Sequence, residues 1–346
     1  MASVDITVRG AGVFGLSVAY ACLKRGARVR VVDPQGVAAG ASGGVVGALA
    51  PHTPENWNPK KQFQFDSLVM ARSFWPEVEA CGGQSTGYAR SGRLQPIADA
   101  AALDLAQRRA VSARSLWGDA ARWEVVEAQT HAGWAPRAPM GVLIHDTLSA
   151  LIHPRQATRA LAAAVRALGG EICAEAEGEG ATVWATGVAG LEALSAGRAR
   201  AMGNGVKGQA AVLKFNAKGA AQLFADALHI VPHGDGTVAI GSTSERDYAS
   251  PTQTDGQLDD VIARALAAFP ALAGAEIVQR WAGVRPRARS RAPMLGAWPG
   301  RNGHFIANGG FKIGFGMAPK LGEVMADLVL DEARRYPPEF DVEANL

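Results

Sequence analysis

Val4-Asp5-Ile6-Thr7-Val8-Arg9 runs into Gly10-Ala11-Gly12-Val13-Phe14-Gly15, and an amphipathic stretch from Leu16 to Lys24 follows. Gly26 then precedes Ala27-Arg28-Val29-Arg30-Val31-Val32-Asp33. This order reads as strand, glycine turn, helix, strand and acid, which is a dinucleotide-binding βαβ unit. Gly10 permits the tight turn off the strand, Gly12 lets backbone approach a pyrophosphate, and Gly15 lets the helix pack on the strand. The helix start offers unpaired N–H groups and a partial positive charge to phosphate. Asp33, at the end of the second strand, is placed to accept hydrogen bonds from ribose hydroxyls. The motif has its strand, its helix and its acid, so it carries more weight than the glycines alone.

The composition outside this unit is that of a globular enzyme. The chain has 346 residues, 48% hydrophobic and 19% charged, with a net charge of +3. That length suits about two domains. The charge is too small to argue for nucleic acid or for a membrane surface. Cys22, Cys81 and Cys173 form no CxxC pair, so neither a disulfide framework nor a zinc site is expected, and the metal expectation is none. No basic-then-apolar leader opens the chain, and no apolar run is long enough to span a bilayer. The expected location is cytoplasmic.

Helical text appears at Gln62–Trp75, Ala100–Trp117, Arg155–Leu168, Asp255–Phe269 and Ala318–Leu330. Strand text appears at Glu171–Cys173, Thr182–Gly187, Ala210–Phe215, Thr237–Gly241 and Gly303–Ala307. Mixed helix and strand text therefore lies at the start, middle and end, with strand-rich blocks between. The expected fold is α/β (α+β overall): a Rossmann-like nucleotide domain with an inserted, mostly antiparallel β-sheet substrate domain. The boundaries expected are 1–53, 145–205 and 298–346 for the first domain, and 54–144 and 206–297 for the second.

Four further segments stand out. Gly40 to His52 is small and glycine-rich, as backbone near a cofactor must be. Trp184-Ala185-Thr186-Gly187 ends a strand in small residues. Trp281 to Pro286 sets Arg285 between Gly283 and Pro286. Asn308 to Gly316 runs into the last helix, whose positive end can face a ligand.

With these motifs in order along most of its length, the chain resembles the FAD-dependent amine and amino-acid oxidoreductases, the D-amino acid oxidase superfamily, and is nearest in pattern to glycine oxidase. The further matches are Ile152-His153-Pro154, Val206 to Gln209, Ile230-Val231-Pro232, Ala239 to Thr243 and Pro293 to Gly296. The resemblance implies FAD, bound noncovalently because no cysteine follows Cys173. It implies that Val13 and Phe14 lie against the pyrophosphate, with Asp33 and Pro34 at the ribose. Ala41, Ser42, Val46, Gly47 and Ala48 would line the flavin side, and Gly187 would make a second close approach. Gly310, Phe311, Lys312, Ile313, Gly314, Phe315 and Gly316 would close over the flavin ring.

Arg285 matches the arginine that holds a substrate carboxylate, and a planar guanidinium suits that task. The catalytic set expected is Arg285, Lys312 and His229. Lys312 stands where relatives often have arginine, and His229 where they often have tyrosine. Asp33 replaces the usual glutamate, and the stretch from Glu171 to Val183 is short for the family. The expected activity is oxidation of the C–N bond of an amino acid or N-substituted glycine by hydride transfer to flavin N5, on a small carboxylate-bearing amine.

Three other readings stay open: a nicotinamide dehydrogenase with the same fingerprint, against which the C-terminal glycine loop and the number of ordered motifs argue; a flavoenzyme that oxidises a carboxymethylamino group on tRNA uridine; and a catalytically degenerate FAD-binding protein. Read alone, His229 is as readily structural as functional, and His52 more readily structural. The other five histidines show no ligand spacing. Arg285, Arg287, Arg289 and Arg291 alternate. Pro286 and Pro293 favour a solvated basic turn there, and a cationic pocket mouth is the sharper alternative.

Overall fold

The computed structural model describes residues 4–346. It opens β1 (Ile6–Arg9), α1 (Val13–Lys24) and β2 (Val29–Val32), then β3 (Ala48–Leu49) and α2 (Pro59–Gly82). Next come β4 (Arg93–Pro96), α3 (Ala100–Trp117), β5 (Trp123–Glu127), β6 (Val142–Asp146) and β7 (Ala150–Leu151). The middle holds α4 (Pro154–Ala167), β8 (Glu171–Cys173), β9 (Ala181–Trp184) and α5 (Gly187–Ser195). A strand-rich run follows: β10 (Gly203–Lys214), β11 (Gln222–Ala225), β12 (Leu228–Pro232) and β13 (Thr237–Gly241). The chain ends with α6 (Gly256–Ala268), β14 (Ile277–Ala288), β15 (Met294–Ala297), β16 (His304–Asn308) and α7 (Gly314–Asp331).

The first sheet has the order β15-β16-β9-β1-β2-β8. All its pairings are parallel except β15 with β16. Its strands are apolar runs because both faces are covered. Helix α1 is buried from Val13 to Cys22 and packs against α7, which in turn packs on α2. The second sheet has the order β14-β10-β13-β12-β11-β4-β6-β5 and is antiparallel apart from β11 with β4. Helix α6 covers one stretch of it through Leu258, Val261 and Ala265, which join Leu213, Ile230 and Ile240 in a separate core. The fold is thus a Rossmann-like α/β unit joined to a mostly antiparallel sheet, as expected.

Two expected boundaries move. Residues 54–144 do not all follow the second sheet, because α2 packs on α4 and α7. Its apolar residues Phe63, Leu68, Phe74, Trp75 and Val78 belong to the first core. The first sheet also begins at β15, four residues before 298. Helix α2 is longer than its sequence pattern suggests. Asn58 caps its start by accepting from Lys61 N at 3.0 Å, and Gly83 ends it at φ 66. Pro76 lies inside it without ending it; packing on two neighbouring helices holds the segment where local propensity alone would stop it.

The short link from β8 to β9 lies against β1. The Thr7 hydroxyl donates to the Glu179 carbonyl at 2.8 Å and accepts from Glu179 N at 3.0 Å. Among the described residues no helix is long and apolar enough to cross a membrane.

Candidate active site

The glycine turn is set by contacts that leave no room for a side chain. Gly10 has φ +109, and a Cβ there would lie 2.4 Å from the Ala185 carbonyl oxygen. A Cβ on Gly15 would lie 2.0 Å from the Gly10 carbonyl oxygen. So β1, the start of α1 and the end of β9 meet in direct backbone contact. Asp33 closes the turn from the side: its Oδ2 accepts from Ala11 N at 2.8 Å and its Oδ1 from Gln35 N at 3.0 Å. Pro34, beside it, is exposed. Ser42 Oγ accepts from Val13 N at 2.9 Å. The remaining amides of the first turn of α1 have no partner within the helix. This is a cradle built for an anion, and it fits the pyrophosphate of a dinucleotide cofactor.

Distant segments converge on the same place. The loop 41–48 follows, with Val46 facing Gly241 of β13 and Gly44 facing Trp281 of β14. Gly47 is held against Ile152, whose N–H donates to the Gly47 carbonyl at 2.9 Å. Gly187 starts α5, and its carbonyl accepts from Asn308 Nδ2 at 2.8 Å. The loop of Gly310, Phe311, Lys312 and Ile313 is tied to β14 by Phe311 N donating to the Pro286 carbonyl at 3.0 Å. Gly310 and Gly314 pack on Phe14 and Val13. Residues expected at the pyrophosphate, the flavin and the substrate therefore stand around one junction between the two sheets.

Arg285 lies on β14 and is 9% exposed. Its guanidinium rests on Gly208 of β10, in space that any side chain there would fill. Nη2 donates to Ser242 Oγ at 2.6 Å and to the Thr243 carbonyl at 3.2 Å, while Nη1 is buried with no partner. Burial pulls the guanidinium down to about 10, and the Glu245 carboxylate acts against this; it stays charged at neutral pH. Glu245 is itself engaged by Lys207 at 3.4 Å, and Lys207 also meets Asp255 at 3.3 Å. Gln209 Nε2 joins this group at 3.0 Å from Glu245 and 2.8 Å from Asp255. Among the described residues, no carboxylate is within ion-pair distance of Arg285 or Lys312. A buried cation with an unpartnered Nη1 is a site for an anion.

Lys312 keeps access to solvent at this junction. Surrounding protein, and then the charge of Arg285, lower its ammonium. Arg285, Arg287 and Lys312 all approach the Phe311 ring, at 6.0, 5.6 and 5.7 Å from its centroid. The solvated-turn reading of the alternating arginines thus needs correcting for two of them. β14 runs through Pro286 because it is the edge strand of its sheet, where a missing N–H costs no ladder bond. Arg285 and Arg287 are strand residues; Arg289 and Arg291 are the exposed ones, in the turn.

His229 lies on β12, with its ring 4.7 Å from that of Phe224. Gln222 Nε2 donates to the Ala150 carbonyl at 2.7 Å, so Gln222 Oε1 faces His229 Nδ1 at 3.2 Å. This network assigns the proton to Nδ1 and leaves Nε2 as an acceptor. Burial, then the charges of Arg93 and Lys312, push His229 down to about 3. Sequence reasoning missed Gln222, Ser242 and Glu245, since each acts through partners distant in the chain. His52 is pinned by Gln64, whose Oε1 accepts from its backbone N–H at 2.7 Å, a structural arrangement.

A pH dependence of stability follows. His233 is likewise pushed down, by burial and by the nearby His153, to about 4. Above pH 6.5 both rings are neutral whether the chain is folded or unfolded. Below it, the unfolded chain takes up protons that the folded chain refuses. Stability therefore falls with pH by about 1.4 kcal/mol per unit for each histidine, down to about pH 4. Urea unfolding midpoints between pH 7 and pH 5 should show this, and His229→Gln should make the slope shallower. A midpoint flat across that range would contradict the burial of both rings.

Comparison with known proteins bears on this site. The family model described as FAD dependent oxidoreductase matches residues 5–328. A glycine oxidase of Bacillus licheniformis is 26% identical over 352 residues, covering 94% of this chain and 93% of that protein. The bifunctional protein ThiO/ThiG of Synechocystis sp. is 27% identical over 95% of this chain, which spans 52% of that longer protein. Among solved structures, an iminodiacetate oxidase from Chelativorans sp. BNC1 superposes with a TM-score of 0.83 at 21% identity, covering 96% of this chain and 97% of that one. A glycine oxidase from Geobacillus kaustophilus gives 0.82 at 21%, covering 98% of each chain.

Proposed function

The chain belongs to the FAD dependent oxidoreductase family, and on that premise we propose that it oxidises the C–N bond of an amino acid or an N-substituted glycine. The observation that carries this reading is the buried Arg285 with its unpartnered Nη1, beside Lys312 and next to the dinucleotide cradle. Names of similar proteins point the same way: glycine oxidase and iminodiacetate oxidase both describe carboxylate-bearing amines.

Gly10, Gly12, Val13, Phe14 and Gly15 would hold the pyrophosphate, and Asp33 and Pro34 the ribose. Ala41, Ser42, Val46, Gly47, Ala48 and Gly187 would face the rest of the cofactor, under the loop Gly310–Gly316. Bound there, FAD would supply a hydride acceptor at N5: the substrate Cα–H would leave as hydride and one amine N–H as a proton to solvent, and water would hydrolyse the resulting imine to a carbonyl compound and an amine. Arg285 would clamp the carboxylate and so aim the Cα–H. Lys312 would place positive charge where negative charge accumulates during reduction. His229 Nε2 would accept a hydrogen bond from the substrate nitrogen without retaining its proton. The amine must then react in its neutral form, so the rate should rise with pH until the substrate amine is deprotonated.

The test is an anaerobic absorbance scan of the yellow protein against amino acids and N-substituted glycines. Bleaching of the flavin band by one of these classes is the expected result. Acid precipitation should release the colour into the supernatant, since the flavin is held noncovalently. Protein that bleaches with none of the panel, yet binds acetate, would sink the proposed substrate class.

A further inference from the structure

His153 opens α4 and His233 follows β12, eighty residues later, yet their ring centroids stand 4.5 Å apart. Asp235, in the exposed turn after His233, completes the group. One ligand-capable atom from each of the three lies within 4.8 Å of the others. Neither histidine is used in the chemistry above.

The hydrogen bonds show which atom is free. The Thr237 hydroxyl donates its single proton to Asp235 Oδ1 at 2.7 Å. Toward His233 Nδ1, at 3.1 Å, it can therefore only accept. Nδ1 carries the proton, and the lone pair sits on Nε2. His233 is 3% exposed, and its Nε2 is buried with no hydrogen-bond partner among the described residues. Such an orphaned acceptor is costly and calls for an explanation. The Nδ1–H···Oγ1 contact is the kind of outer partner that orients a metal-bound imidazole. His153 Nδ1 accepts from Gln156 N at 3.4 Å, a contact so long that giving it up costs little.

We propose that His153, His233 and Asp235 bind a borderline divalent transition-metal ion, zinc above all, and that this ion clamps the β12–β13 turn to the start of α4 and the loop 41–48.

Two imidazole nitrogens and one carboxylate, with an open fourth position for water, make a common zinc donor set. Magnesium and calcium prefer oxygen throughout. Burial lowers both rings, which favours the neutral form that a metal needs. Ligand atoms on zinc lie about 3.3 Å apart, given bonds near 2 Å, so the three side chains must draw together by up to about 1.5 Å. Asp235 lies in an exposed turn and gives the ion its entry. The charges of Arg155 and Arg159 oppose a cation at His153, and the Asp235 carboxylate counters them. The Val45 carbonyl also approaches the His233 ring. Val45 lies in the loop 41–48, and His153 follows Ile152, which is bonded to Gly47 of that loop.

The untagged, chelator-treated holoprotein is titrated with zinc chloride by calorimetry. One equivalent should bind with a Kd of about 10 μM or tighter and raise the Tm by several degrees. His153→Gln and His233→Gln should each weaken that equivalent at least about 100-fold, and Asp235→Asn about tenfold. His131→Gln should leave it unchanged, although His131 and His145 form another ring pair 5.5 Å apart. X-ray absorption of the zinc-loaded wild type should show two imidazoles. That readout, with the exposed-turn variant Asp235→Asn, decides the matter even if the histidine variants do not fold. No zinc uptake at about 100 μM, full binding in the double histidine variant, or a spectrum without imidazole would each overturn the proposal.

Discussion

Arg285→Ala should weaken substrate binding by about 2–5 kcal/mol, the usual loss when one partner of a desolvated charge pair is removed. That is a factor of roughly 30 to several thousand in the substrate constant. Flavin content should not change, because Arg285 stands on β14 and makes its bonds to Ser242 and Thr243. Arg285→Lys should recover only part of the binding. An ammonium keeps the charge but cannot make two parallel bonds to a carboxylate. Until a substrate is found, acetate or glycolate can stand in, read by its perturbation of the flavin spectrum. Arg114, exposed on α3, supplies the control. If Arg114→Ala changes acetate binding as much as Arg285→Ala does, the carboxylate-anchor role is wrong.

Gly15→Ala should cost more in the cofactor than in any other property. The added Cβ would sit 2.0 Å from the Gly10 carbonyl oxygen and 3.2 Å from the Ala185 side chain. Neither neighbour can yield without moving β1 or the end of β9, since both are paired strands in mid-sheet. The start of α1 must therefore lift off the sheet. The first-turn amides lose their aim, and the bond from Val13 N to Ser42 Oγ breaks. FAD affinity should fall by about 100-fold or more, the scale of losing two charge-assisted hydrogen bonds. The Tm should drop by several degrees, as for other overpacked sites. Flavin titration of the apoprotein measures the first effect and thermal unfolding the second. Wild-type affinity in this variant would mean that the cofactor does not sit on this turn.

The two experiments probe parts of the molecule that differ in how far sequence foretells them. The βαβ unit is legible because its information is local. A strand, a tight turn and a helix within about thirty residues need few alternatives excluded, and each glycine answers a contact made by its near neighbours or by one strand. Arg285 is legible only as a residue type in a motif. Its orphaned Nη1, its seat on Gly208 and the Lys207–Glu245–Asp255 group behind it depend on pairing β10 with β14 across some eighty residues. The alternating arginines show the same limit. Pro286 argued for a turn, but an edge strand leaves its missing N–H without consequence, and edge position is a property of the whole sheet.

Sequence by itself determined the nucleotide turn, the alternation of helical and strand-rich blocks and the arginine type at the anion site, because periodicity, propensity and short-range contacts act within a few residues. Tertiary structure alone decided three other matters. It set α2 beside the first sheet, through an apolar face that had two possible partners. It set the neutral state of His229, through burial and the Gln222 bond. It also brought His153 within 4.5 Å of His233, centroid to centroid, where spacing along the chain gave no sign of a ligand set. Each depends on which surfaces meet, and that is settled only when the two sheets close on one another and expel the water between them.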